Sequence, residues 1–198
     1  MSKEVEAVNA CADILHVDVM DGVFVPNISV GFPVVEALSS VAKKPLDVHL
    51  MIVEPGRYAL KFASFKGVGM VSFHLEACPE PEKLLGELRQ AGVKAGLVIN
   101  PDVPVESLFP YLDKCDYVLL MSVYAGFGGQ KLIEETYDRI RCLKAEIERR
   151  GLDVEIEVDG GVTVLNAPLL TGAGADILVA GTAIFRAEDP SAAVAALR

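Results

Sequence analysis

Several familiar sequence signals are missing from this 198-residue chain, and each absence excludes a class of protein or partner. No apolar run approaches the roughly 20 residues that a membrane-spanning helix needs, and the first residues contain no apolar signal segment. Basic residues are outnumbered, since 18 Lys and Arg face 28 Asp and Glu for a net charge of −10. An acidic chain without a basic stripe is poorly suited to nucleic acid or anionic membranes, so we expect neither as a partner.

Paired cysteine motifs are also absent. The four cysteines are far apart and form no C-x-x-C pair: Cys11, Cys78, Cys115 and Cys142. Such spacing is typical of free thiols in a reducing compartment, so we predict buried, unpaired cysteines and a cytoplasmic location. Tryptophan is missing too, but an apolar fraction of 52% is enough for one sizeable core. We therefore expect a single domain over residues 1–198.

Short apolar segments alternate with helical ones along the whole chain. The predicted strands cover residues 14–20, 46–51, 70–74, 94–99, 117–121, 154–158 and 176–180. The predicted helices cover residues 2–11, 33–41, 55–65, 79–91, 104–113, 131–150, 164–171 and 190–198. Strict alternation indicates parallel βαβ units. Polar and glycine-rich residues follow nearly every strand and do not gather at one switch point, which favours a closed barrel over an open sheet.

Three strands end in histidine or carboxylate side chains. His16 and Asp18 share one face of the first strand, His49 lies on the second, and Asp159 ends the sixth. A buried carboxylate is costly unless it is paired, hydrogen-bonded or bound to a metal. Two imidazoles and two carboxylates suit one Zn, Fe, Co or Mn ion. The alternative is a set of unconnected, satisfied polar groups in the core.

Two glycine-containing loops have the composition of phosphate-binding turns. One is Gly126, Phe127, Gly128 and Gly129 ahead of the predicted helix 131–150, and the other is Gly181 and Thr182 ahead of a short turn. Glycines let backbone N–H groups approach a phosphate closely, and helix N-termini favour anions. The alternative is tight turns at barrel corners.

Methionine ends three of the predicted strands, at Met20, Met51 and Met121. Methionine is usually core filler. In a barrel, these three side chains would instead form a dry, polarizable floor under the reacting carbon of a substrate.

The chain resembles the ribulose-phosphate 3-epimerase family. The matching segments occur in the family's order and cover residues 16–27 (HVDVMDGVFVPN), 47–51, 96–101, 120–123, 126–130, 157–162 and 180–185. The resemblance implies a (β/α)8 TIM barrel in which the seven predicted strands are the family's second to eighth. Two departures stand out: the family's first strand, which supplies a substrate-contacting serine, is not seen here, and Tyr124-Ala125 replaces the usual residues before the glycine loop. We expect the missing strand to lower stability and activity.

The resemblance also implies a reaction, the interconversion of D-ribulose 5-phosphate and D-xylulose 5-phosphate in pentose phosphate metabolism. Asp18 and Asp159 would be the acid and base, and His16, Asp18, His49 and Asp159 would hold one divalent transition metal. The phosphate would lie against Gly128, Gly129, Gly160, Gly161, Gly181 and Thr182, with His49, Gly126 and Phe127 also lining the substrate site.

Alternatives remain open from the sequence. They are an epimerase of a six-carbon ketose phosphate such as allulose 6-phosphate, an inactive shortened paralogue, and, as a poor match to the His/Asp set, a phosphate-binding barrel synthase. Assembly into a homo-oligomer is also open.

Overall fold

Strands and helices alternate along the chain in a computed structural model that describes residues 2–198. The strands are β1 Leu15–Met20, β2 Leu46–Met51, β3 Val68–His74, β4 Lys94–Ile99, β5 Tyr117–Met121, β6 Glu155–Asp159 and β7 Ile177–Val179. The helices are α1 Ser2–Val8, α2 Phe32–Val41, α3 Ala59–Ala63, α4 Pro81–Gln90, α5 Thr136–Arg150, α6 Ala167–Ala173, α7 Thr182–Phe185 and α8 Pro190–Ala196. Three short 3₁₀ segments are Pro55–Arg57, Leu75–Ala77 and Val105–Tyr111.

The seven strands form one parallel sheet in the order β1-β2-β3-β4-β5-β6-β7. This order confirms the predicted βαβ units, because each crossover returns the chain to the neighbouring position. All residues of β2 and β5 are buried, as expected for strands covered on both faces. The core lies between the sheet and its helices, with Val48, Phe73 and Leu97 fully buried.

The sheet curls into a half-barrel, and within residues 2–198 no pairing joins β1 to β7. The predicted barrel class, with seven strands where the family has eight, is thus confirmed, and β1 and β7 are the two edge strands of the described residues. The three residues of β7 are only half-buried, in contrast to the fully buried β5. Because β1 and β7 each have a strand on one side only, the backbone groups on their outer edges have no strand partner within residues 2–198.

The two ends of the chain meet beside this gap. Helix α1 contacts helix α8. The guanidinium of Arg198 donates a hydrogen bond to the carbonyl of Cys11 (2.8 Å) and pairs with the carboxylate of Asp13 (2.7 Å). The outer helical layer is therefore joined next to the gap although the sheet is not.

Several predicted helix boundaries are wrong. The helix predicted at residues 131–150 begins only at Thr136, so residues 130–135 separate it from the glycine loop. The segment predicted at 55–65 divides into a 3₁₀ turn and α3, and the one predicted at 104–113 is 3₁₀. In the latter, Pro110 lies inside the helix and cannot donate a backbone hydrogen bond. The turn expected after Gly181 is instead the short helix α7.

The cysteine prediction holds only in part. All four are free thiols, but only Cys115 is buried, while Cys11 and Cys78 are half-buried and Cys142 is exposed. Cys142 is exposed because it lies on the outer face of α5, between the buried Ile140 and Leu143. In the part of the chain that is described, no helix has the length and apolar character required to span a membrane.

Candidate active site

A cleft opens at the carboxyl ends of the strands. Its lining includes most of the predicted site residues: Asp18, Met20, Met51, Met121, Gly126, Phe127, Gly128, Gly129, Asp159, Gly160 and Gly161. The lining also contains residues that were not assigned to the site from the sequence: Val123, Tyr124, Ala125 and Gln130. Parallel strands place their carboxyl ends at one edge of a sheet, which is why distant segments of the chain converge here.

Four predicted metal ligands converge at the base of this cleft. His16, Asp18, His49 and Asp159 each offer a ligand atom, and these atoms all lie within 4.8 Å of one another. Two ring nitrogens face the same carboxylate oxygen, because Nε2 of His16 is 3.2 Å and Nδ1 of His49 is 3.1 Å from Oδ1 of Asp18. The strand register explains this approach, since Asp18 on β1 pairs with His49 on β2.

The other nitrogen of each histidine has its own buried partner. Nδ1 of His16 is 2.5 Å from Oδ2 of Asp47, and Nε2 of His49 is 3.0 Å from Nε2 of His74. Nδ1 of His74 lies 3.6 Å from the carboxylate of Glu76. A second partner of this kind holds the ring of a metal-binding histidine in one orientation.

Asp47, Tyr117 and Glu157 are fully buried beneath the cleft, and none of them was assigned to the site from the sequence. A signal for two of them was present. Asp47 precedes His49 by two residues and Glu157 precedes Asp159 by two, so each shares a strand face with a predicted ligand. Tyr117 carried no such signal, because its role depends on a contact across the curled sheet.

The two carboxylates of the cleft have opposite pKa shifts, considering the protein groups alone. Burial and the nearby charge of Asp18 raise the pKa of Asp159 to about 7. Burial acts to raise the pKa of Asp18 as well, but hydrogen bonds from His16 and His49 outweigh it and lower that pKa. At neutral pH Asp18 is therefore ionised while Asp159 titrates.

The two histidines also differ. Burial lowers the pKa of His49 to about 4, so its ring is neutral, as a metal ligand must be. Burial acts in the same direction on His16, but the charge of Asp47 and the hydrogen bonds that His16 donates to the surrounding carboxylates raise its pKa well above the usual value.

Glycine is required at two positions of the cleft wall. Gly160 and Gly161 have φ of +119° and +63°, conformations that L side chains rarely adopt. A Cβ on Gly161 would lie 2.5 Å from the backbone nitrogen of Leu132. The single O–H of Ser122 lies within hydrogen-bond distance of the carbonyl oxygens of Asp159 (2.8 Å) and Gly160 (2.5 Å), and the Ser122 backbone N–H donates to Asp159 (2.8 Å).

The glycine loop is held in shape by a side chain that follows it. The amide of Gln130 donates to the carbonyls of Tyr124 (2.7 Å) and Phe127 (2.8 Å). No helix begins directly after this loop, so the expected contribution of a helix N-terminus is wrong there. Thr182 is not part of the cleft lining but borders the loop, since a Cβ on Gly129 would lie 3.8 Å from its hydroxyl.

Parallel strands that curl around one polar cleft define the class of this protein, an α/β-barrel enzyme. The chain belongs to the ribulose-phosphate 3-epimerase family, a family of isomerases, whose profile matches residues 1–185. It is 46% identical over 201 residues to the ribulose-phosphate 3-epimerase of Synechocystis sp., covering 100% of this chain and 87% of that protein. The enzyme of the same name from Bacillus subtilis is 47% identical over 188 residues, covering 94% of this chain and 86% of that protein.

Solved structures support the fold assignment. KGPDC from Streptococcus mutans superposes with a TM-score of 0.71 at 17% identity, covering 100% of this chain and 90% of that one. A mutant tryptophan synthase alpha-subunit from Pyrococcus furiosus gives a TM-score of 0.71 at 16% identity, covering 99% of this chain and 89% of that one. At such low identity the similarity concerns the fold alone.

Proposed function

We propose that this chain interconverts D-ribulose 5-phosphate and D-xylulose 5-phosphate by inverting the carbon next to the ketone. The observation that carries the proposal is the pair of carboxylates, Asp18 and Asp159, that face one cleft from β1 and β6. Its named relatives, at 43–47% identity, are ribulose-phosphate 3-epimerases. Inversion requires one group to remove a proton and another to return a proton to the opposite face.

The two carboxylates meet the protonation requirement of this reaction. Ionised Asp18 accepts the proton from the substrate carbon in one direction, while a protonated Asp159 supplies one from the other side. In the protein without metal, the pKa of Asp18 is lowered and that of Asp159 is raised, so their surroundings already distinguish the two carboxylates. In the reverse direction the two residues exchange roles.

The donor set fits one divalent transition metal ion held by His16, Asp18, His49 and Asp159. Imidazole nitrogens suit Zn, Fe, Co or Mn better than oxygen-preferring Mg²⁺. The buried partners of His16 and His49 are those expected around such an ion. A bound ion supplies a Lewis acid that stabilises negative charge on the substrate oxygens during proton transfer.

The walls and floor of the cleft contact the parts of the substrate that do not react. Gly128, Gly129, Gly160 and Gly161 bring backbone close to the cleft, with Thr182 beside the first pair, and we place the phosphate there. Met51 and Met121 are buried at the floor, and Met20 is half-buried beside them. They offer an apolar surface under the reacting carbon. Four free cysteines support a reducing, cytoplasmic location.

Solvent-exchange measurements test the proposed reaction. Incubation with D-ribulose 5-phosphate in D₂O should form D-xylulose 5-phosphate with deuterium at carbon 3. A parallel assay with D-allulose 6-phosphate compares five- and six-carbon substrates. Faster turnover of the six-carbon sugar would assign the chain to the sister activity, and absence of exchange with both sugars in folded, metal-loaded protein would contradict the proposal.

A further inference from the structure

A chain of hydrogen bonds crosses the interior of the half-barrel beneath the cleft. The hydroxyl of Tyr117 on β5 donates to Oδ1 of Asp47 on β2 (2.8 Å), and Oδ2 of Asp47 accepts from Nδ1 of His16 on β1 (2.5 Å). Asp47 and Tyr117 are fully buried, and the His16 side chain is 10% exposed. Both oxygens of Asp47 are thus engaged, so its carboxylate cannot rotate freely.

Gly96 on β4 makes this crossing possible. It pairs with Tyr117 in the strand register, and the tyrosine ring lies directly over it. A Cβ at Gly96 would lie 2.3 Å from Cζ of the ring, which no real structure tolerates. The absent side chain of Gly96 therefore determines the path of Tyr117 toward Asp47.

Tyr117 remains a donor and Asp47 an acceptor in this environment. Burial and the charges of Asp47 and Glu157 raise the pKa of the Tyr117 phenol well above its usual value, so the phenol stays protonated. Each oxygen of the Asp47 carboxylate faces one of its two partners, so Asp47 accepts from both.

We propose that Asp47, held by the Tyr117 hydroxyl across Gly96, is a positioning residue that keeps the proton of His16 on Nδ1 and directs Nε2 toward the metal ligands. This inference rests on the proposed function. With Nδ1 hydrogen-bonded to Asp47, Nε2 is the nitrogen left to bind a metal, and it lies 3.2 Å from Asp18. Such second partners orient metal-binding histidines and raise their basicity.

Packing alone does not explain this group. A buried carboxylate costs several kcal/mol unless it is compensated, and an apolar side chain would fill the same space without that cost. His16, Asp47 and Glu157 also lie close enough together to hold an ion of their own. The number of ions bound per chain therefore separates a second metal site from the positioning role.

Metal affinity in matched variants of the whole chain tests the inference. Tyr117→Phe removes one hydroxyl, Asp47→Asn replaces the acceptor by an isosteric amide, and Tyr111→Phe is the control. Tyr111 is half-buried and does not line the cleft, and within residues 2–198 its hydroxyl has no hydrogen-bond partner, since Cys115 contacts only its backbone carbonyl. Zn²⁺ and Co²⁺ affinities are measured by competition with a chromophoric chelator, and melting of the metal-free proteins is followed by circular dichroism.

The expected result is a graded loss of affinity. Asp47→Asn should weaken metal binding about 10–100-fold, Tyr117→Phe should weaken it less, and Tyr111→Phe should leave it unchanged. A second readout is the ¹⁵N spectrum of the zinc-loaded protein labelled at histidine. The hydrogen-bonded Nδ1–H signal of His16, identified by its absence in His16→Gln, should be perturbed in Asp47→Asn and Tyr117→Phe and unchanged in Tyr111→Phe.

Other outcomes overturn the inference in distinguishable ways. If the wild type binds metal and both site variants bind it equally well, with lowered melting temperature only, the role is structural. Two ions per chain would assign Asp47 to a second metal site. Failure of the wild type to bind any metal would instead overturn the metal centre of the proposed function. If Asp47→Asn does not fold, Tyr117→Phe decides the question.

Discussion

The carboxylates of Asp18 and Asp159 lie within 4.8 Å of each other although four strands separate β1 from β6 in the sheet. The curl of the sheet brings them together. Asp18 faces two imidazoles, whereas Asp159 ends a strand whose last carbonyl is held by Ser122. One cleft therefore presents an acid and a base from the same residue type.

Replacement of either carboxylate should abolish epimerisation. Asp18→Asn and Asp159→Asn remove a proton-transfer group, which typically costs about 10²–10⁴-fold in rate. Steady-state turnover of D-ribulose 5-phosphate measures the loss, and circular dichroism checks the fold. Asp153→Asn is the matched control, because Asp153 is exposed and distant from the cleft. More than a tenth of wild-type activity in either site variant would rule out the two-carboxylate mechanism.

The chain should bind one divalent transition metal ion. The reason is the set of two imidazoles and two carboxylates within 4.8 Å. Elemental analysis of protein purified without chelator measures the stoichiometry. Chelation should remove activity, and Zn, Co, Mn or Fe should restore it, whereas His49→Gln should lower the affinity. Full activity of demonstrably metal-free protein would be incompatible with this expectation.

Gly161→Ala should destabilise the protein and weaken binding of the sugar phosphate. The substitution places a Cβ 2.5 Å from the backbone of Leu132 and forces alanine into φ of +63°. Such backbone strain costs on the order of 1–3 kcal/mol. Thermal or urea unfolding measures the loss. The control is Gly172→Ala in α6, where nothing lies within 4 Å of the added methyl group, and a helical alanine is expected to stabilise by about 0.5–1 kcal/mol. Equal stability of the two variants would contradict the strain argument.

The stability of metal-free Glu157→Gln, compared with that of the metal-free wild type, should increase as pH rises. Burial, then the charge of Asp47, raises the pKa of Glu157 to about 8, whereas an unfolded glutamate titrates near about 4.3. Between these values the folded chain holds a proton that the unfolded chain releases, so wild-type stability falls with increasing pH.

Glutamine stays neutral at every pH and removes this contribution. The melting temperature of Glu157→Gln minus that of the wild type should therefore increase from about pH 5 to about pH 8 in chelator-treated protein. A difference that stays constant over this range would show that Glu157 is ionised in the folded chain.

The open edges of β1 and β7 should make the protein prone to association. Unpaired N–H and C=O groups at a strand edge invite pairing with another chain. Fusion of a strand-forming segment ahead of residue 1 should raise the melting temperature and reduce oligomers on size exclusion. A Gly/Ser extension of equal length is the control. If both extensions behave like the unextended chain, the gap carries no cost in stability.

Much of the fold was predictable because the strands have strong local patterns. Each of the seven predicted strands overlaps an observed one. A short apolar run bounded by glycine, proline or aspartate can be recognised from neighbouring residues alone. Helix starts were less predictable. The residues from Lys131 to Glu135 are compatible with a helix, but Leu132 lies against Gly161 and the backbone N–H of Ile133 donates to the carbonyl of Ser122, contacts that depend on the fold.

The sequence by itself determined the strand order and the four candidate ligands, because both depend on residue types at strand ends. Only the tertiary structure decided which groups lie behind those ligands. Tyr117 reaches Asp47 from β5 because the sheet curls and Gly96 leaves space for the ring.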